Sequence, residues 1–242
     1  MIGDNPAARL LNILEQGAEH ESSSNCRSVW KAIFELEGEA DHVLMTRIAK
    51  AMELPGQIIT ILNKDFPNQK ETYKYWSQKV NNAFFQQNLN SNWHSFYAHI
   101  DSHTLLYLRL NADLIQTKTP TSLLSLEDLK GVRERVSELF TELLELELDH
   151  EVKAFLVRNL QAMLHAIDEY RISGAVPVMD IIERTFGHAF FDEKFKTTLS
   201  ESDFGKKIVK TLSIVADTMT VALGMPQLPL AFTLYLEALK NT

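Results

Sequence analysis

VKAFLVRNLQAMLHAIDEYRI, residues 152–172, is the stretch on which the fold turns. On a helical wheel at about 100° per residue, Val152, Leu156, Leu160, Met163, Ile167 and Tyr170 gather on one side. Phe155, Leu164 and Ala166 flank them. Arg158 and His165 fall together on the opposite side with Glu151 and Glu169, because seven residues make nearly two helical turns. A strand would instead alternate apolar and polar residues. The stretch therefore predicts a helix with a buried stripe and a solvated back, whose stripe must be covered by further elements.

The same spacing recurs outward in both directions. Apolar residues three or four apart dominate, and only nine glycines and seven prolines interrupt them. The expectation is an all-α fold, a multi-helix bundle of about ten helices arranged as one domain or as two sub-bundles. Asn5 before Pro6 reads as an N-cap with proline in the first turn. Helices are expected at 40–53 and 55–65, with Pro55 opening the second, and at 69–88 and 92–116. Ser125 with Asp128 resembles a capping box. Asp149 is the expected cap of the opening stretch, and Gly174 its left-handed end. Ser202 is expected to cap a helix ending near Gly224, with a last helix after MPQLP. The segment TKTPTSLLS suggests an N-terminal half at 1–117, a linker at 118–124 and a C-terminal half at 125–242.

Composition narrows the function classes. The formal net charge is −8, and no basic run offers a general footprint for nucleic acid. The single cysteine, Cys26, rules out an intramolecular disulfide and a four-cysteine zinc site. The N-terminus MIGDNPAARLL lacks the basic start and apolar run of a secretory signal, so a cytoplasmic location is expected. No pattern asks for a cofactor: there is no glycine-rich phosphate loop and no Gly-x-Ser-x-Gly elbow.

Four polar patterns invite chemistry. Arg158 and His165 are the first, and this interval, with polar Asn159 directly after the arginine, resembles the catalytic pair of HEPN-type ribonucleases. The resemblance covers one helix. It implies metal-independent RNA cleavage, with His165 as acid or base near neutral pH and Arg158 holding the phosphate. The plain alternative is a solvated helix face. The second pattern is Glu-x-x-His, at Glu39 with His42 and at Glu147 with His150; paired on long helices it binds di-iron. Here both copies fall at helix starts, so no metal site is expected. His99 and His103 would meet on one helical turn but border an apolar face. Seven acids and one base between Glu134 and Glu151 read as a solvated acidic face suited to a basic protein partner.

Two further features bear on partners. AIDEYRISGA resembles a segment of uncharacterised bacterial all-helical proteins over about residues 152–200, which implies a bacterial origin and no particular activity. Thr218 to Leu236 contains nineteen residues without a charge, near the length that crosses a bilayer. Gly224, Pro226, Gln227 and Pro229 interrupt it, which favours a core hairpin. The leading expectation is a non-enzymatic helical protein acting through a protein partner or through self-association as a homo-oligomer. The alternatives are the ribonuclease, with RNA as its partner, and a membrane-active effector that inserts residues 211–239.

Overall fold

Side-chain caps set the starts of several helices. Asn5 accepts from the backbone N–H groups of Ala7 and Ala8, and Pro6 opens α1 (Pro6–Ala18). Asn25 caps α2 (Cys26–Ile33) through the Ser28 N–H. There follow α3 (Asp41–Asp65), a 3₁₀ turn (Pro67–Gln69), α4 (Lys70–Gln86), α5 (His94–Tyr97) and α6 (Ser102–Lys118). The chain continues through α7 (Leu126–Glu145), α8 (His150–Asp168), α9 (Tyr170–Ser173), α10 (Val176–His188), α11 (Glu193–Glu201) and α12 (Asp203–Ala222). The computed structural model describes residues 3–224. Among these it is all-α: helices account for every regular element, and the sole β-type pairing is an isolated bridge between Asn25 and Asn92. No helix among them is long and apolar enough to cross a membrane.

The chain divides into two units, Met1–Pro120 and Thr121–Thr242. In the first, α1, α3, α4 and α6 pack in a closed cycle, each against the next. An aromatic cluster joins α2 and α5 to one end. Trp30 lies parallel to Phe84 with centroids 5.8 Å apart, and Phe96 meets the Trp30 ring edge-on at 4.8 Å. Trp93 donates its indole N–H to the Gly17 carbonyl at 2.9 Å. Gly17 is needed there, because a Cβ would lie 2.9 Å from the Trp93 ring.

In the second unit, α7, α8, α10 and α12 form a similar closed cycle. Its core holds Val136, Leu143, Leu156, Met163, Ile182, Leu212 and Met219, all buried. The stripe of the opening stretch is buried as expected, from Val152 through Leu156, Leu160, Met163 and Ile167 to Tyr170. Ser122 donates its backbone N–H to the Ala222 carbonyl at 2.9 Å, tying the start of this unit to the end of α12.

Several local expectations are corrected. Pro55 does not start a helix; α3 runs through it as one element. The buried series Leu44, Ile48, Ala51, Leu54, Ile58 and Leu62 continues across the proline, and core packing offsets the lost N–H. The expected helix over 92–116 is two elements. Asp101 has extended backbone and accepts from the Thr104 N–H, so it starts α6 afresh. Asp192 caps α11, a helix the spacing had not suggested. Gly174 has φ 72° but ψ −166°, an extended glycine conformation and not the left-handed helical one. The last expected helix, and residues 225–239 of the apolar hairpin, lie outside the described residues. Its start does not: Leu212, Val215, Ala216 and Met219 of α12 are buried in the core.

Candidate functional site

The opening pair comes first. Arg158 and His165 are both exposed on the outer face of α8. Seven residues place them about 10 Å apart along the axis. Neither side chain makes a hydrogen bond or ion pair with another described residue. Asn159 turns inward instead. It is 5% exposed, its Nδ2 donates to the Phe155 carbonyl at 2.9 Å, and its Oδ1 accepts from Arg184 Nε at 2.9 Å. It braces α8 against α10. Glu169, expected on the same face as His165, is the buried C-terminal cap of α8.

The histidine and carboxylate patterns do not converge. Glu39 precedes α3 and Glu147 precedes α8, so neither shares a helix with its His42 or His150. Asp149 is occupied as a cap: its Oδ1 accepts from the Glu151 N–H at 3.0 Å and its Oδ2 from Lys194 Nζ at 2.9 Å. The Lys194 bond, with the Glu151 N–H behind it, holds the Asp149 carboxyl below its ordinary range. His99 sits in the turn before α6 and His103 in its first turn, so the helical break at Asp101 separates them. Among the described residues, no three His, Cys, Asp or Glu side chains are placed to hold a metal ion.

The acidic face of α7 is partly compensated. Arg133 reaches Asp168 through Nε at 2.6 Å and Nη2 at 3.3 Å. Lys207 of α12 donates to Glu142 at 2.6 Å. Between α7 and α12 lies an open groove with Arg135, Glu138, Lys207 and Lys210 along it. Its mixture of charges fits a hydrated surface better than a pocket for a small ligand. Cys26 is buried at the foot of α2, and burial pushes its thiol above the ordinary value, which suits a structural role.

Two features escape the patterns weighed in the sequence. The first is a polar knot at the start of α6. Asp101 Oδ1 accepts from the Thr104 N–H at 2.8 Å and the Thr104 hydroxyl at 2.9 Å. Its Oδ2 accepts from the Tyr75 hydroxyl at 2.7 Å, and Lys79 Nζ stands 3.4 Å away. Burial alone would raise this carboxyl. The Thr104 N–H, the Tyr75 and Thr104 hydroxyls and the Lys79 ammonium outweigh it and hold the group down at about 2.

The second feature is α6 itself. Thr104, Leu108, Asn111, Ala112 and Ile115 face the core. Leu106 and Leu110, on the opposite side, are 56% and 45% exposed. Tyr107 lies beside them, edge-on to Tyr75 at 5.6 Å. The helix thus carries apolar side chains on both faces. The segment SHTLLYLRLNADLIQ contains the signal, because its apolar residues exceed one stripe.

These elements define an all-α protein of packed helical units with an apolar surface helix. No protein-family model, no curated protein and no solved structure matches this chain.

Proposed function

We propose that the chain is an interaction protein that works through protein–protein contacts, including self-association, and not through catalysis. The carrying observation is the apolar outer face of α6, where Leu106 and Leu110 stand in solvent on a helix whose other face is packed. Apolar side chains grouped in solvent on one face of a packed helix are a feature of protein contact surfaces. Phe191, 91% exposed beside Phe190 at the turn after α10, supports the same reading for the second unit. A bacterial cytoplasm is the setting this reading goes with. Light scattering across a concentration series, with cross-linking in solution and in lysate, tests it. A concentration-dependent increase in mass or a defined cross-linked partner is expected. A chain that stays monomeric throughout and cross-links to nothing would overturn it.

Metal-independent RNA cleavage is the second reading. The unengaged, shared face of Arg158 and His165 favours it, while the inward turn of Asn159 removes one of the three residues on which the ribonuclease resemblance rests.

A further inference from the structure

The exposed side of α6 has a heptad register. His103, Leu106, Leu110 and Asp113 are all exposed and follow one another at intervals of three, four and three residues. At about 100° per residue they occupy a strip some 80° wide. That is the spacing of the seam of a two-helix coiled coil, with His103 and Leu110 at one class of position and Leu106 and Asp113 at the other.

The order of these four residues chooses the partner. Reversed end for end, the strip reads Asp, Leu, Leu, His, the complement of itself. When two such helices pack antiparallel about Leu108, Leu106 of each lies level with Leu110 of the other. His103 of each then lies level with Asp113 of the other. In a parallel pair, each histidine would meet a histidine and each aspartate an aspartate. The side chains of His103 and Asp113 have no hydrogen bond or ion pair with another described residue, which leaves both able to make such a contact.

The flanks tolerate the arrangement. Two-fold symmetry brings each flanking residue beside its own copy. On one flank this is Tyr107, backed by Tyr75. On the other it is Arg109, whose charge is already met by Glu15 of α1.

We propose that α6 is a self-docking helix, through which two copies of the chain pair antiparallel on Leu106 and Leu110 with His103 of each copy against Asp113 of the other. This inference rests on the reading of the chain as an interaction protein and names its surface and its partner. The occupant is a second copy because the charges are self-complementary, which an unrelated partner would not require. One helix from each side makes a small interface, so the dissociation constant is expected on the order of 10–100 µM.

Sedimentation equilibrium of the full chain from low micromolar to several hundred micromolar tests it. The parent chain should dimerise. Leu106→Glu with Leu110→Glu should leave a monomer across the range, and Asp113→Lys should weaken the dimer at least fivefold. His103→Glu combined with Asp113→Lys should restore it to within about threefold of the parent. All these side chains are exposed, so circular dichroism should show an unchanged helix content. Direction is read separately, with copper–phenanthroline as oxidant. Chains carrying His103→Cys should form a disulfide with chains carrying Asp113→Cys, and not with one another. A parent dimer unmoved by the leucine or charge variants would overturn the surface while leaving self-association standing. Disulfides between two His103→Cys chains would overturn the antiparallel pairing. A parent that is monomeric at every concentration would overturn the inference, while lysate cross-linking separately judges the wider interaction reading.

Discussion

The indole N–H of Trp76 on α4 donates to Asn111 Oδ1 on α6 at 2.8 Å, and both side chains are fully enclosed. The same asparagine reaches Thr72 Oγ1 with its Nδ2 at 3.4 Å. A buried polar side chain thus fixes the height of α6 on α4, and with it the outward register of Leu106 and Leu110. Asn111→Leu would leave the indole donor without its acceptor. The expected loss is about 1–3 kcal/mol, the cost of a stranded buried polar group. Urea denaturation followed by circular dichroism measures it; a stability equal to the parent's would contradict the assignment.

Asp101 should make the start of α6 sensitive to acid. Its hydrogen bonds hold the carboxyl at about 2, below the ordinary 3.8, so its contribution is complete above the higher value and lost as pH falls through the lower. The side chain is 36% exposed, and solvent screening reduces what the shift would otherwise be worth. Asp101→Ala should therefore cost about 1 kcal/mol at pH 6, cap included. That cost should shrink between about pH 4 and pH 2. A penalty constant over this window would show that the carboxylate charge plays no part.

Replacing both Arg158 and His165 by alanine should change stability by less than about 0.5 kcal/mol, since both are exposed and unengaged. Mixed RNA incubated with either protein in EDTA should remain intact. Cleavage by the parent that disappears in the variant would establish the ribonuclease reading in place of the interaction one.

Two glycines should respond in opposite directions. At Gly205 a Cβ would lie 2.1 Å from the Thr198 carbonyl oxygen and 2.6 Å from the Leu199 Cα, both backbone atoms. Gly205→Ala must push α11 away from α12 and should cost about 2–3 kcal/mol. Gly131, inside α7, has nothing within 4 Å of its Cβ position. Gly131→Ala should add about 0.5–1 kcal/mol through helix propensity alone. Thermal melts of the two variants, read against the parent, give both signs.

How much of this was legible in the sequence varied with the range of the interaction. Caps are local, and Asn5, Ser125, Asp149 and Ser202 all accept backbone N–H groups at the helix starts expected for them. The apolar period was legible too, since the stripe from Val152 to Tyr170 is buried. Pro55 misled because its local preference for a helix start is weaker than the packing of Leu54 and Ile58 around it. Apolar spacing hides the helix starts at Asp101 and Asp192, because it continues through the first and lapses near the second. The outer face of α6 was hidden by plenty: a segment so rich in leucine satisfies one buried stripe and masks the surplus. Nothing local tells that Asn159 meets Arg184, twenty-five residues later in the chain.

Trp30, Trp76 and Trp93 are the three tryptophans of the chain, and all belong to the first unit, each almost wholly enclosed. Indole emission therefore samples the hydration of that unit alone, whereas far-ultraviolet ellipticity weighs both. Followed by these two probes, a single melt of the intact, unlabelled protein will superimpose only where the halves come apart together, and will otherwise assign each half its own midpoint.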